Sequence, residues 1–158
     1  MKRFAIIALC VAFAICGVNG NDKVAQSVEN AKIAVKKARD DYSTALNDYL
    51  NTSITFITLQ REVDERVAKI DEVAKAIQNG GAQRQKIGSI MQKIQGLEME
   101  LQESYIALQS AKKHDKSAKK YITTADRFID LSEKSTKELL QSKATLDNAI
   151  AVFRKYAK

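Results

Sequence analysis

Few residues of this chain are suited to catalysis. The 158-residue sequence contains one histidine, His114, and two cysteines, Cys10 and Cys16, which lie in an apolar segment near the N-terminus. Because lysines surround His114, it is a poor metal ligand, and no second histidine completes a helical zinc motif. The sequence also lacks a glycine-rich phosphate-binding loop. We therefore expect a protein that is not an enzyme and that uses neither a metal nor a cofactor.

The most strongly charged segment is a run of lysines in the second half of the chain. Between positions 112 and 120 a single acidic residue, Asp115, accompanies Lys112, Lys113, Lys116, Lys119 and Lys120. Such a patch can bind acidic polysaccharides of the heparin type or anionic lipid headgroups. Nucleic acid is not the expected partner, because Tyr121 is the only aromatic residue nearby for base stacking. The alternative interpretation is a solvated stretch that serves solubility.

One short motif concerns modification. Asn51, Thr52 and Ser53 form an acceptor sequence for N-glycosylation. The motif matters only in a eukaryotic secretory pathway and only where the asparagine is accessible. Asn51 is therefore a candidate glycosylation site.

The first twenty residues differ in chemistry from the rest of the chain. Lys2 and Arg3 precede an apolar run from Phe4 to Val18, and small residues follow as far as Gly20. This run is shorter than the roughly 20 residues that cross a bilayer, and its pattern is typical of a cleaved signal peptide. We expect residues 1–20 to be removed and residues 21–158 to form a single domain without cysteine. The expected destination is extracellular, with a bacterial periplasm as the alternative.

Apolar residues recur at alternating steps of four and three along the rest of the chain. One series runs from Val24 to Ile77 and a second from Ile87 to Ala157. This heptad pattern is typical of helices that pack against other helices. Because the chain also contains no proline and no tryptophan, it is expected to be all-α. The rings of Tyr42, Tyr49 and Phe56, one heptad apart, are interpreted as core residues rather than as a ligand site.

Two architectures agree with these series. Gly80 and Gly81 follow Asn79, and they predict a turn at 79–82 that joins an arm 22–78 to an arm 83–157 in a long antiparallel helical hairpin or coiled coil. The alternative is an up-and-down four-helix bundle with further breaks near 51–53 and 113–116. Heptad phase continues through both of these breaks, which favours the hairpin. The breadth of the apolar faces favours the bundle or a dimer of hairpins over a lone two-stranded coil, because it adds Leu46, Leu50, Ile54 and Ile57 on the first arm and Tyr105, Tyr121 and Phe128 on the second.

The expected function follows from these exclusions and patterns. We interpret the chain as a secreted structural or interaction protein that acts through its helical surface or by coiled-coil self-association, with another protein or itself as partner. One alternative is an exchangeable lipid-binding or membrane-surface-binding protein, since amphipathic helices can lay their apolar faces on lipid. The other is polyanion binding through the segment Lys112–Lys120.

Overall fold

The residues that the structure describes form three long helices. A computed structural model describes residues 20–66, 70–111 and 114–157, with only the backbone at position 21. Helix α1 spans Gly20–Arg66, α2 spans Ile70–Ser110 and α3 spans His114–Tyr156. Over these ranges the structure contains no strand, so the all-α prediction is confirmed. The predicted signal peptide, apart from Gly20, lies outside the described residues, as do Lys112 and Lys113.

Contacts between helices fix their directions. Helix α1 runs antiparallel to α2, because Arg39 pairs with Glu98 and the ring of Phe56 lies against Gly80. Helix α3 runs antiparallel to α2 and parallel to α1. The contacts that place it are Arg127 with Glu100, Ser142 with Gln83, Tyr156 with Glu72, and Phe153 with Phe56. The helices therefore pack up, down and up.

Helix α3 packs along the length of both other helices, whereas α1 and α2 approach each other mainly through side chains. Most core residues occupy predicted heptad positions, and Tyr42, Tyr49 and Phe56 are among them, so their interpretation as core residues is confirmed. Ala76, Tyr121, Phe128 and Ala149 are buried outside the two series, whereas Ile70 of the first series is exposed. The rings of Phe56 and Phe153 lie with their centroids 5.1 Å apart. Small polar residues, Thr124, Ser132, Ser135 and Ser142, are also buried on α3. Their small size lets α3 approach two neighbours closely.

The predicted turn at 79–82 is wrong. Helix α2 runs through these residues without interruption. A Cβ atom on residue 80 would overlap the ring of Phe56, so glycine is needed there for close packing and not for a turn. The chain instead reverses between Arg66 and Ile70. Residues 67–69 are Val-Ala-Lys and contain neither glycine nor proline to mark the position.

The two further breaks predicted for the four-helix bundle have different outcomes. Helix α1 is continuous through 51–53, so that predicted break is wrong. Helix α2 ends at Ser110 and α3 begins at His114, which puts a helix boundary next to the break predicted near 113–116. Hairpin arms of unequal length would leave the end of the longer arm unpaired. Three helices of 47, 41 and 43 residues instead match in length, so that α3 can bury a broad apolar stripe against both of the others.

Candidate functional site

The lysines of the predicted polyanion site lie near the start of α3. Lys116, Lys119 and Lys120 are exposed, and they line a shallow groove of about 370 Å³ between α3 and α2. The groove also contains Thr123, Thr124 and Arg127 of α3 and Glu100 of α2. Lys112 and Lys113 lie outside the described residues. Because Lys116, Lys120 and Arg127 are spaced by four and seven residues, one side of the helix presents all three cations.

Arg127 extends the basic patch beyond the run seen in the sequence. Its Nη1 donates a hydrogen bond to Glu100 Oε1 at 2.9 Å, which holds the guanidinium at the edge of the groove and neutralises part of its charge. The other cations of the groove belong to residues that are more than one-third exposed. Water therefore screens them, and an anion would bind here through several weak contacts rather than one strong contact.

Asn51 lies in the middle of α1 with its side chain exposed. The predicted bend at this position is absent, and the Thr52 hydroxyl donates to the carbonyl oxygen of Asp48 at 2.9 Å within the helix. Ser53, whose hydroxyl completes the acceptor sequence, is buried. A glycan on Asn51 would point into solvent, away from the core.

His114 is the first residue of α3 and is exposed. Across residues 20–66, 70–111 and 114–157, no three side chains of His, Cys, Asp or Glu converge as metal ligands would. No helix within these ranges is sufficiently long and apolar to cross a bilayer.

The buried tyrosines carry polar groups that the sequence did not reveal as unusual. Among the described residues, the hydroxyls of Tyr42 and Tyr49 have no hydrogen-bond partner, and neither do those of Ser132 and Thr136. Burial raises the pKa of the Tyr42 hydroxyl, because its ionised form would be poorly solvated. Nothing around these four hydroxyls suggests contact with a ligand, so we do not interpret them as a site. A buried polar group without a hydrogen-bond partner lowers the stability of the fold.

A second groove, of about 580 Å³, lies between α1 and α2. Arg39 Nη2 and Glu98 Oε1 bridge it at 2.9 Å, and Lys32 Nζ lies 5.1 Å from the centre of the Tyr105 ring. These contacts span a groove that backbone packing alone leaves open. The sequence did not indicate this groove. The heptad pattern shows which residues are buried, but not which two helices remain apart.

Most of the large exposed apolar side chains lie on α1 and α2, outside the lining of this groove. Leu46, Leu50 and Ile57 follow Arg39 by 7, 11 and 18 residues, so they share one side of α1 with it. We define the apolar strip as six exposed residues: Leu50, Ile54 and Ile57 of α1, with Ile70, Met99 and Ile106 of α2. Of the residues that broaden the apolar faces in the sequence, Leu50, Ile54 and Ile57 are exposed, whereas Tyr121 and Phe128 of α3 are buried.

Comparison with known proteins provides no relative: no family model, no curated protein and no solved structure matches this chain.

Proposed function

We propose that this chain is a secreted, non-enzymatic helical protein that acts by binding another protein or a second copy of itself. The observation that carries the proposal is the apolar strip. Ile54 is 63% exposed, Met99 65% and Ile106 55%. Large apolar side chains that stay exposed are typical of interaction sites, since burying them against a partner is favourable.

The geometry of the strip suits a helical partner. The strip lies on two antiparallel helices; its α1 members are spaced by four and three residues, and Met99 and Ile106 by seven. A partner helix packed along either helix would cover these residues with its own apolar side chains, as helices do in coiled coils and in groove recognition. The coiled-coil association expected from the sequence would thus occur between chains, on a surface that the fold of one chain leaves uncovered.

The test is to place charges on the strip and to measure association. Light scattering should show that the mean mass of the wild type increases with concentration between about 1 and 100 µM. The double variant Ile54→Asp with Ile106→Asp is expected to abolish this increase. The matched control is Ile33→Asp with Leu140→Asp, two exposed apolar residues outside the strip. It should associate as the wild type does, because it leaves the strip intact.

Two results contradict self-association through the strip. One is a wild-type chain that stays monomeric throughout the concentration range. The other is a control variant that loses association as fully as the strip variant. If the strip variant instead loses the ability to clear phospholipid vesicles, the strip serves a lipid surface, which is the alternative expected from the sequence.

Export is tested separately. Expression of the full-length coding sequence in a secreting host should yield a chain in the medium whose mass begins at Asn21. Retention of residues 1–20 in the exported chain would contradict the signal-peptide prediction.

The basic groove on α3 supports polyanion binding as a second candidate function. Lys116→Glu with Lys120→Glu should elute from heparin at lower salt than the wild type, because each lost contact reduces the number of released counterions. Lys134→Glu with Lys137→Glu makes the same charge change at exposed positions of α3 outside the groove. Equal elution of the two variants, or wild-type elution below about 0.2 M salt, would contradict this function.

A further inference from the structure

Three glycines in the interior of α2 are not explained by contacts among the described residues. Gly80 is explained by the ring of Phe56, but among these residues a Cβ atom added at Gly81, Gly88 or Gly96 would meet nothing within 4 Å. Glycine inside a helix costs about 1 kcal/mol relative to alanine. Glycine is favourable on an exposed helix face when another backbone must come close.

The same side of α2 carries its exposed apolar residues. At 100° per residue, Gly81 and Gly88 lie within about 40° of Ile70, Ile77, Met99 and Ile106 around the helix axis. Ile70 is 74% exposed, Met99 65% and Ile106 55%, while Ile77 is partly buried. Glycine and large exposed apolar residues therefore occur together on one side of the helix, and each is unfavourable there without a partner.

These residues are arranged symmetrically about Gly88. Ile70 and Ile106 each lie eighteen residues from Gly88, and Ile77 and Met99 each lie eleven residues from it. If two such helices meet antiparallel at Gly88, Ile70 faces Ile106 of the second copy and Ile77 faces Met99 of the second copy. The two glycines then meet at the centre, where the backbones come closest. A surface that matches itself under a twofold rotation is the requirement for an isologous dimer.

Charge also favours a second copy as the occupant. The full sequence carries a net charge of +7, and without Lys2 and Arg3 of the predicted signal peptide the charge is +5, so most approaches between two copies are opposed by repulsion. This side of α2 also carries the uncharged Ala74, Gln85, Gln92 and Gln95 and the charged Arg84 and Glu103. Arg84 would face Gln92 of the second copy and Glu103 would face Val73, so no like charges oppose each other. A partner that binds through its negative charge would instead bind the basic groove on α3.

The contact would also be long. Ile70 and Ile106 are about 54 Å apart along the helix, and the register between α1 and α2 places Leu50 and Ile54 of α1 beside the central part, near Gly88 and Gln83. These two residues would broaden the contact where glycine removes side-chain volume. Long helix pairs with apolar residues at heptad-like spacing supply the area that a stable dimer needs.

We propose that two copies of this chain associate through α2 in an antiparallel, twofold-symmetric contact centred on Gly88, with Ile70 packed on Ile106 and Ile77 packed on Met99 of the second copy. This inference rests on the proposed function and specifies the partner and the surface.

The test uses introduced cysteines in the exported chain, whose mass first establishes that the segment containing Cys10 and Cys16 has been removed. Gly88→Cys places one introduced cysteine on each side of the twofold axis. Their Cα atoms would then lie within the range of about 4.4–6.8 Å that a disulfide allows. Oxidised glutathione, which is reduced as the two thiols are oxidised, should convert most of the chain to a covalent dimer. Because Gly88 is exposed with open space around it, the variant should retain the helix content of the wild type by circular dichroism.

Gly96→Cys is the matched control on the same helix. It also replaces an exposed glycine with open space, but the proposed contact separates the two copies of position 96 by about 24 Å along the axis. It should remain monomeric on a denaturing gel. Gly81→Cys and Gln95→Cys sharpen the register, since each alone keeps its thiols about 20 Å apart and only a mixture of the two variants should crosslink.

The outcomes separate this inference from the proposed function. If the wild type associates and charged residues on the strip abolish association, but Gly88→Cys forms no more disulfide than Gly96→Cys, the twofold contact is wrong and the interaction function stands. If the wild type remains monomeric and no variant crosslinks, the twofold contact and self-association both fail. Selective crosslinking at position 88 and in the mixture of 81 with 95 supports the proposed contact.

Discussion

Helices α2 and α3 have similar lengths but opposite environments. Helix α3 packs against both neighbours and buries Phe128, Leu139 and Phe153 almost completely. Helix α2 packs closely on α3 alone and leaves Ile70, Met99 and Ile106 in solvent. The difference shows that an apolar pattern along a helix does not by itself determine how much of that helix is covered. Coverage depends on how many neighbours the helix has, and the uncovered side of α2 is where a function is expected.

The largest effect should come from a side chain at the shared core. Phe153→Ala is expected to lower the free energy of unfolding by about 3 to 5 kcal/mol, because Phe153 is fully buried against Phe56. Ile54→Ala on the apolar strip should change it by no more than about 0.5 kcal/mol in the monomer. Urea denaturation followed by circular dichroism at low protein concentration measures both. Similar losses for the two variants would mean that the strip is not exposed in solution.

Two glycines of α2 should respond with opposite signs. Gly80→Ala is expected to destabilise the fold by about 1 to 3 kcal/mol, because its methyl group would overlap the Phe56 ring and force it to move. Gly96→Ala should stabilise the monomer by about 1 kcal/mol, since its methyl group enters open space and helix propensity improves. The midpoint of urea unfolding distinguishes the two. If Gly80→Ala is stabilising, the close approach of α1 to α2 at that level is wrong.

Removing an unpartnered hydroxyl from the core should increase stability. Tyr42→Phe is expected to raise the free energy of unfolding by about 1 kcal/mol, because the Tyr42 hydroxyl is buried without a hydrogen-bond partner among the described residues. Tyr105→Phe, at a partly exposed ring on α2, should stay within about 0.5 kcal/mol of the wild type. A destabilised Tyr42→Phe would reveal that the hydroxyl is satisfied in solution, for example by a buried water.

The smallest expected effect on stability concerns the contacts of Glu72, at the start of α2, with the end of α3. The Tyr156 hydroxyl donates to Glu72 Oε2 at 2.6 Å, and Lys155 Nζ lies 3.1 Å from Glu72 Oε1. The Tyr156 hydrogen bond and then Lys155 lower the pKa of Glu72 below its ordinary value of 4.5. The stability gained is therefore present above pH 4.5 and is lost as the pH falls through the lowered pKa.

Tyr156→Phe and Glu72→Gln should each have a lower thermal midpoint than the wild type at pH 6, with the differences shrinking as the pH falls toward 3. Thermal melts across this range measure the effect, which is small because both partners lie at the surface. A difference that grows on acidification would contradict the assigned direction of the Glu72 pKa shift.

The sequence allowed the helices and most core positions to be predicted, but not the turns. Val35, Tyr49 and Leu101 are buried at the heptad positions that the sequence indicated, because helical periodicity is local and repeats along the chain. The turn failed at Gly80 because glycine serves two purposes, chain reversal and close packing, and the residue type does not distinguish them. The reversal between Arg66 and Ile70 occurs without glycine or proline, so no local signal marked it.

The candidate site divides in the same way. Lys116, Lys119 and Lys120 were evident as a charge run, whereas Arg127 joins them only because α3 brings it to the same groove. Of the apolar strip, the sequence indicated Leu50, Ile54 and Ile57 only as part of a broad apolar face, without distinguishing burial within one chain from contact with a second. Separating covered from uncovered apolar residues requires knowing which helices are neighbours.

What the sequence determined by itself is the helical state and the side of each helix that turns inward, because both depend on spacings of three and four residues. Only the tertiary structure decided that the described residues form three helices and that α3 packs closely on both of the others. It also decided that the outer side of α2 remains exposed. The physical reason is that burial is shared between helices distant in sequence: an apolar side chain is covered only when another helix has the length and direction to reach it.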